Sequence, residues 1–193
     1  MKLDRFFHDN QIIPKLEINQ IDLSLFTGPF DNSNWIIKDH ILVGCYPLNH
    51  LKILEDVGIT DFICLQTPEE LEKIGPYITY LLDSQRFHNF PIPDRCVVAD
   101  KIMNEYMKQI NTILSDTSRR IYIHCLGGHG RTGVVVSLLL AHKYRISGAV
   151  SLQLCQKLHD ARWVKTGKIG KPHRFKSPQT AAQFKQVNRL SCQ

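Results

Sequence analysis

The sequence has no uninterrupted apolar run of the roughly eighteen residues that a membrane-spanning helix requires. Its first residues, Met1 to Asp9, mix charged and apolar side chains and contain no apolar stretch typical of a signal peptide. We therefore predict a chain without a transmembrane segment and expect it in the cytoplasm.

Cysteine occurs without the paired spacing of a disulfide framework. The 6 cysteines are scattered along the chain at Cys45, Cys64, Cys96, Cys125, Cys155 and Cys192. In a chain of this length such scatter indicates reduced thiols in a reducing compartment. His124, Cys125 and His129 lie close together, but no second Cys/His pair stands at the spacing of a structural zinc site. We expect no metal and no cofactor.

Acidic residues are absent from one long basic segment near the end of the chain. The segment 162–176 carries seven basic or potentially basic side chains: Arg162, Lys165, Lys168, Lys171, His173, Arg174 and Lys176. The formal net charge of +6 fits an anionic substrate or partner without choosing among phosphoprotein, phospholipid and nucleic acid. No aromatic-rich RNA platform or recognition-helix module is present, so nucleic acid is not expected as a partner. The segment itself is predicted to be a loop, either solvated or facing an acidic surface.

The most informative stretch runs from Ile121 to Gly133. Its β-branched and aromatic start predicts a buried strand, and four glycines then allow a tight loop that a ligand can approach closely. An apolar helix follows, and the unpaired N–H groups at a helix start favour anions. Cys125 and Arg131 lie inside this anion site, where a nucleophile and a guanidinium together indicate phosphoryl chemistry.

Other interpretations of the same loop fit less well. Gly128, Gly130 and Gly133 satisfy the spacing of a dinucleotide-binding loop, but no acidic residue follows about twenty positions later. No Lys-Ser/Thr pair follows, so the phosphate loop of nucleotide hydrolases is excluded. A buried turn with an inert thiol remains the simplest alternative.

The rest of the pattern alternates strands and helices. Two short strands around 35–37 and 41–43 form a predicted hairpin, and 59–65 and 86–90 are further strands. Predicted helices start near Asn49 and Thr67, cover Tyr77 to Ser84 and 98–115, and follow Ser147 and Ser177. We predict an α/β fold, a single domain with a central, mostly parallel sheet flanked by helices. Residues 1–33 are expected to form an arm packing on the domain at 34–193.

Cys125, five intervening residues, then Arg131-Thr132 resembles the active-site loop of cysteine-dependent protein tyrosine and dual-specificity phosphatases. A second match is Phe90-Pro-Ile-Pro-Asp94, about thirty residues earlier, which resembles the loop carrying that family's general acid. The resemblance covers roughly residues 34–190 and implies the protein tyrosine phosphatase-like fold.

The resemblance also implies roles for the loop residues. Cys125 would be the nucleophile, since helix N-termini and nearby cations favour the thiolate form of cysteine. Arg131 would clamp the phosphoryl oxygens with two prongs, and Thr132 would bind the sulfur. His124 would orient Cys125 from behind or serve only as a core histidine. Backbone N–H groups would bind the substrate, contributed by Leu126, Gly127, Gly128, His129, Gly130 and Arg131.

Asp94 is the expected general acid, on a loop predicted to close over substrate. Asp100 and Asp61 are the fallback acids. Gln179 matches the family's glutamine that positions the hydrolytic water, although it could also be a polar first-turn residue.

Departures from the family pattern bear on the substrate. The phosphotyrosine-clamp motif of the larger tyrosine-specific enzymes is absent, which favours a dual-specificity-like pocket. His129 stands where lipid-directed relatives carry lysine, and could contact a second phosphate or only line the rim. Cys64 or Cys96 could form a protective disulfide with Cys125, as in some relatives, or remain a core thiol.

The sequence thus predicts a cysteine phosphatase acting through a phosphocysteine intermediate, as a monomer, on phosphorylated protein. Phosphoinositide hydrolysis is the alternative within the class. A pseudophosphatase that binds phosphorylated partners without turnover is the alternative from another class.

Overall fold

A five-stranded sheet lies at the centre of the computed structural model, which describes residues 18–163 and 175–191. Its strands are β1 (Ser33–Ile37), β2 (Ile41–Gly44), β3 (Asp61–Cys64), β4 (Arg86–Asn89) and β5 (Ile121–His124). The spatial order is β1-β2-β5-β3-β4, with β1 antiparallel to β2 and every other pair parallel. The prediction of a central, mostly parallel sheet with an opening hairpin is confirmed.

Six α-helices accompany the sheet within the described ranges: α1 (Leu51–Asp56), α2 (Pro68–Ile74), α3 (Asp100–Leu114), α4 (Gly130–Tyr144), α5 (Gly148–His159) and α6 (Ala181–Leu190). Two of them open with a capping box, in which a threonine hydroxyl and a side chain three residues later satisfy free backbone N–H groups. Thr67 and Glu70 form the box of α2, and Thr180 and Gln183 form that of α6.

Two predicted helix features are wrong. Tyr77 to Ser84 forms only a three-residue 3-10 turn, Ile78–Tyr80, because Tyr77 is buried in the core and Leu81 returns to extended backbone. The helix expected after Ser177 is capped instead by Thr180. The Ser177 hydroxyl donates to the backbone oxygen of His129, at 3.0 Å, and so binds the loop between β5 and α4 rather than the helix.

Helix α4 is the centre of the core, as its apolar sequence predicts. From Gly130 to Ala141 every residue is buried, and α5 and α6 pack against it. Burying a helix on all sides requires apolar residues around its whole circumference, which the run Val134 to Leu140 supplies. This packing fixes the position of the start of α4 relative to the sheet.

The amino-terminal segment is described from residue 18 onward. Residues 18–26 contain two 3-10 turns, and the Phe26 side chain is buried in the core with Ile18, Ile21 and Leu23 packed against it. Residues 1–17 lie outside the described ranges, so the arm assigned to 1–33 and the boundary at 34 stay predictions. Among the described helices, none is long and apolar enough to cross a membrane.

Candidate active site

The predicted catalytic loop lies at the carboxyl end of the sheet. Strand β5 ends at His124, the loop follows, and α4 begins at Gly130. Gly44 at the end of β2 and Cys64 at the end of β3 are the register partners of His124. In open parallel sheets, ligands bind at the carboxyl ends of the strands, so the loop occupies the position where a binding site is expected.

The loop is shaped by a left-handed glycine and by two hydrogen bonds. Gly128 has φ +72°, and a Cβ there would stand 2.3 Å from the backbone oxygen of Gly44, so no other residue fits. The Leu126 oxygen accepts a hydrogen bond from the Tyr46 N–H at 2.8 Å. The Gly128 oxygen accepts one from the Arg162 guanidinium at 3.0 Å. Both carbonyl oxygens therefore bind partners outside the loop, which is the arrangement expected where the loop's N–H groups are to bind an anion.

Cys125 and Thr132 flank this loop in the sequence, and both are buried. The Cys125 side chain is nearly buried, at 4% exposure, directly after β5. The Thr132 hydroxyl is buried and finds no hydrogen-bond partner among the described residues. A buried hydroxyl without a partner is costly, which fits the predicted role of Thr132 as a donor to the sulfur.

Arg131 is almost fully buried, and a glutamate that the sequence did not flag holds its guanidinium. Glu70 accepts from both Nη1 and Nη2, at 2.6 and 2.9 Å, and the Ile92 oxygen accepts from Nη1 at 3.0 Å. Burial opposes the charge of Arg131, but Glu70, Cys125 and Asp94 outweigh it and raise its pKa. The Glu70 pKa is lowered, because the hydrogen bonds from Arg131 and Thr67 outweigh its partial burial.

The sequence around Glu70 indicated a helix cap and gave no sign of a contact with Arg131. Its spacing from Thr67 matches a capping box, and the structure contains that box: Glu70 also accepts from the Thr67 N–H at 3.0 Å. The same carboxylate thus begins α2 and orients Arg131. Only the packing of α2 beside the loop shows the second role.

Asp94 is brought to the site, and the two fallback acids are not. One carboxylate oxygen of Asp94 lies 3.0 Å from Arg131 Nη2, and 59% of its side chain is exposed. Asp61 lies at the opposite end of the sheet, buried with His88 and Arg119. Asp100 pairs with Arg189 on α6, which together with Gln186 lowers its pKa to about 2.

His124, the neighbour of Cys125, is fully buried among the aromatic side chains of Tyr46, Tyr77 and Tyr122. Its Nδ1 lies 3.2 Å from the Cys125 oxygen and its Nε2 lies 2.7 Å from the Tyr77 hydroxyl. Burial lowers the His124 pKa to about 3 and raises that of Tyr77 well above its usual value. The ring is therefore neutral, with Nδ1–H donating to Cys125 and the Tyr77 hydroxyl donating to Nε2. Sequence reasoning missed Tyr77, which was assigned to a helix.

His129 is held from two sides. Its Nδ1 lies 2.8 Å from His159 Nε2, and its ring stacks on Phe175 with centroids 4.8 Å apart. Burial and the nearby Arg162 lower its pKa to about 4, so the ring is neutral near pH 7. A neutral ring does not supply the cation that a second phosphate would need.

Gln179 lies over the first residue of α4. A Cβ built on Gly130 would stand 2.8 Å from Gln179 Oε1, so the amide is close to the loop, and the side chain is exposed. Its backbone N–H donates to Gln183 Oε1 at 3.0 Å. The amide therefore lies where it could touch a molecule bound in the loop, and its role with water stays a prediction.

The basic segment requires one correction. Arg162 is 4% exposed and donates to Asn34 Oδ1 at 2.7 Å as well as to Gly128, so it is a buried support of the loop rather than a surface charge. Burial lowers its pKa to about 10. Lys176 is exposed, and positions 164–174 lie outside the described residues.

The thiols around Cys125 are reduced in this structure. Cys45, Cys64, Cys96 and Cys155 are free, as is Cys125 itself. Cys64 is buried at the end of β3, and burial raises its pKa to about 12, while Cys96 is exposed. A disulfide between Cys125 and Cys64 or Cys96 stays a prediction. The described residues contain no group of three or more His, Cys, Asp or Glu side chains arranged to hold a metal ion.

Comparison with known proteins yields a consistent set of relatives. Residues 30–185 match the family described as Swiss Army Knife protein, DSP-PTPase phosphatase domain (PTP-SAK). The chain is 34% identical over 112 residues to 197R of Invertebrate iridescent virus 6, named as a tyrosine phosphatase, covering 55% of this chain and 40% of the viral one. It is 29% identical over 136 residues to the similarly named 067L of Invertebrate iridescent virus 3, covering 68% and 55%. The chain thus spans about half the length of these relatives.

Among solved structures, the active form of Tk-PTP resembles this fold. The TM-score is 0.63 at 20% sequence identity, covering 84% of this chain and 97% of the other. At this identity the similarity concerns the fold.

Proposed function

The chain belongs to the DSP-PTPase phosphatase domain family, and on that premise we propose that it hydrolyses phosphate monoesters through a phosphocysteine intermediate on Cys125. One observation carries the proposal: Asp94, a candidate acid, lies 3.0 Å from Arg131, the cation of the loop that begins at Cys125. A nucleophile, an oxyanion clamp and a proton donor therefore converge at one helix start.

In the first step the Cys125 thiolate attacks phosphorus and the bond from phosphorus to the leaving oxygen breaks. Asp94, in its carboxylic acid form, gives its proton to that oxygen, and the phosphoryl group stays on sulfur. Such proton transfer typically contributes about 10²–10⁴-fold to the rate. The exposure of Asp94 at the rim suits it to reach a leaving group that extends out of the loop.

In the second step water attacks the phosphocysteine and the bond between sulfur and phosphorus breaks. The Asp94 carboxylate takes a proton from the water, which returns it to the acid form, and inorganic phosphate and the Cys125 thiolate are released. The Thr132 hydroxyl can donate to the departing sulfur. Gln179, above the start of α4, is the candidate to orient the water.

Glu70 decides which edge of the Arg131 guanidinium the phosphoryl group meets. Arg131 has five N–H donors, and Glu70 engages both terminal nitrogens, leaving the edge formed by Nε and Nη2. Nε is buried without a partner among the described residues. The two-pronged clamp expected from the sequence is therefore assigned to the Nε and Nη2 edge. Protonation of Asp94 frees Nη2 for the same contact.

We propose phosphorylated proteins as the substrates and dual specificity as the preference, in line with the family. The neutral state of His129 supports this over phosphoinositides, because the loop interior then carries no cation besides Arg131. The presence of Cys125, Arg131 and Asp94 together argues against a pseudophosphatase. We also propose that the protein acts as a monomer and that it works in the cytoplasm, since the free thiols at the site fit a reducing compartment.

Hydrolysis of an aryl phosphate in excess chelator tests the proposal. Activity should persist with the chelator and vanish in Cys125→Ser, and rapid quenching should reveal a phosphoryl group on the Cys125 peptide. Activity that requires an added metal ion, or that survives in Cys125→Ser, would refute the mechanism. A parallel panel of phosphotyrosine peptide, phosphothreonine peptide and phosphoinositide then ranks the substrates.

A further inference from the structure

Four side chains at the start of α6 and along it contact the segment that follows Asp94. They are spaced three residues apart, so each is the neighbour of the next on the helix surface: Thr180, which caps α6, Gln183, Gln186 and Arg189. We call these four side chains the α6 ladder. Together they bind Arg95, Cys96, Val98 and Asp100, so the helix runs alongside the segment 95–100.

The first two members of the α6 ladder bind the turn that contains Asp94. The Thr180 hydroxyl donates to the Arg95 oxygen at 3.3 Å, and Gln183 Nε2 donates to the Cys96 oxygen at 3.2 Å. The turn itself is closed by the Cys96 N–H, which donates to the Pro93 oxygen at 3.1 Å. Thr180 and Gln183 therefore bind the two residues directly after Asp94.

The last two members of the α6 ladder, Gln186 and Arg189, bind the residues that lead into α3. Gln186 Nε2 donates to the Val98 oxygen at 2.6 Å and to an Asp100 carboxylate oxygen at 3.0 Å. Arg189 donates to both oxygens of the same carboxylate. Gln183 and Gln186 are both fully buried, so their hydrogen bonds are shielded from competing water.

The segment is also fixed on the other side of Asp94. The Ile92 N–H donates to the Leu65 oxygen at 3.1 Å, and the Ile92 oxygen accepts from Arg131 at 3.0 Å. The Tyr106 hydroxyl donates to the Pro91 oxygen at 3.3 Å. Asp94 therefore sits between two anchored stretches.

The backbone of Arg95, directly after Asp94, is held in an unfavourable conformation. It adopts φ +57°, a left-handed conformation that is unfavourable for a residue other than glycine. Such a conformation persists only where the surroundings over-determine it, and strained residues of this kind cluster at functional sites. The hydrogen bond from Thr180 to the Arg95 oxygen is part of those surroundings.

We propose that the α6 ladder positions Asp94 on Arg131 before substrate binds, so that the proton donor is preformed and does not have to close over the ligand. The proposal rests on the proposed function, since it concerns the acid of that reaction. It differs from the loop closure expected from the sequence. The ladder residues are positioning residues, because they act on Asp94 through the backbone and not on the substrate.

If the proposal holds, the loss of activity in a variant of the α6 ladder depends on the leaving group of the substrate. A displaced Asp94 matters most when the leaving oxygen is strongly basic and needs its proton, and little when the leaving group is a weak base. A loss of stability alone would lower the activity towards both kinds of substrate equally. The ratio of the two activities therefore separates positioning from folding.

The test compares kcat/KM for phenyl phosphate, with a strongly basic leaving group, and for p-nitrophenyl phosphate, with a weakly basic one. Gln186→Met keeps the side-chain length and removes both hydrogen bonds, and Lys185→Met at the exposed neighbouring position is the matched control. With general acid catalysis typically contributing about 10²–10⁴-fold, we expect Gln186→Met to lower kcat/KM about tenfold for phenyl phosphate and less than about threefold for p-nitrophenyl phosphate. Lys185→Met should change neither.

A second comparison uses the Asp94→Asn background. If the ladder acts through Asp94, Gln186→Met should cause no further selective loss there. Equal losses for both substrates, or the same selective loss without Asp94, would overturn the proposal. If Gln186→Met does not fold, the same two substrates are compared in Arg189→Gln, a substitution at an exposed position, with the same selective loss expected. The comparison of the wild type with Cys125→Ser is made first. If the wild type shows no Cys125-dependent activity, the proposed function itself is refuted, whereas the ladder variants test only the positioning of Asp94.

Discussion

The Glu70 carboxylate accepts two hydrogen bonds from the Arg131 guanidinium, at 2.6 and 2.9 Å. Because the same carboxylate accepts the Thr67 N–H at the start of α2, the orientation of Arg131 is tied to a helix cap. Bidentate pairs of this kind fix the plane of a guanidinium as well as its position. The plane matters here, since it presents the Nε and Nη2 edge to the loop.

Replacing Glu70 by glutamine should lower kcat/KM by about 10–100-fold, because hydrogen bonds to charged groups are worth about 1.5–3 kcal/mol and each tenfold in rate is about 1.4 kcal/mol. Glu69→Gln, in the same first turn of α2 but fully exposed, is the control and should leave kcat/KM unchanged. Steady-state kinetics with an aryl phosphate measures both. Equal effects of the two variants would contradict the role given to Glu70.

Asp94→Asn should lower kcat by about 10²–10⁴-fold while vanadate still binds, because the proton donor is lost and the loop is kept. Asp100→Asn is the matched comparison, since that carboxylate is bound by Gln186 and Arg189 of the α6 ladder, and its loss should be below about tenfold. The measurement is kcat together with the inhibition constant for vanadate. A larger loss in Asp100→Asn than in Asp94→Asn would transfer the acid role.

Tyr77→Phe should destabilise the fold by about 1–3 kcal/mol, because it leaves the buried Nε2 of His124 without a donor. Tyr80→Phe, at 68% exposure, should change the free energy of unfolding by less than about 0.5 kcal/mol. Urea unfolding gives both values, and the ¹⁵N shifts of the His124 ring report its tautomer. A tautomer with the proton on Nε2 in the wild type would refute the assignment.

Arg162→Met should weaken the catalytic loop as well as the fold. It leaves Asn34 Oδ1 and the Gly128 oxygen without their donor, at a cost of about 1–3 kcal/mol for each buried group. Vanadate affinity should fall too, because the Gly128 peptide is part of the loop. Arg145→Met, on the exposed end of α4, is the control for both measurements. Unchanged vanadate affinity in Arg162→Met would show that the loop holds its shape without this support.

Stability should fall in mild acid because buried histidines are kept neutral. The pKa of His124 is lowered to about 3 and that of His129 to about 4, whereas the unfolded chain protonates its histidines near 6.5. The unfolded state thus binds more protons, so stability is complete above about pH 6.5 and declines as the pH falls toward 4. Each histidine contributes a slope of up to about 1.4 kcal/mol per pH unit.

The variant that checks this slope is His129→Gln, which should flatten the dependence of the free energy of unfolding on pH between 6.5 and 4. An unchanged slope in His129→Gln would mean that His129 is charged in the folded protein.

The sequence by itself determined the fold class, and it was enough to predict the chemistry of the loop. Hydrophobic periodicity predicts strands and helices wherever burial follows a simple pattern, as in β5 and in the apolar run Val134 to Leu140 of α4. The spacing from Cys125 to Arg131 carries its own chemical meaning, since a thiol and a guanidinium at one helix start favour phosphoryl transfer. Local patterns sufficed for these features because their causes are local.

Only the tertiary structure decided how the site is supported. Glu70 had the signature of a helix cap and Arg162 that of a surface charge, and Tyr77 was placed in a helix that does not form. Each of them meets its partner across a long stretch of chain, through packing that no short pattern encodes. The same holds for the α6 ladder. Side chains three residues apart are neighbours on any helix, and only the tertiary structure shows that these four contact the segment after Asp94.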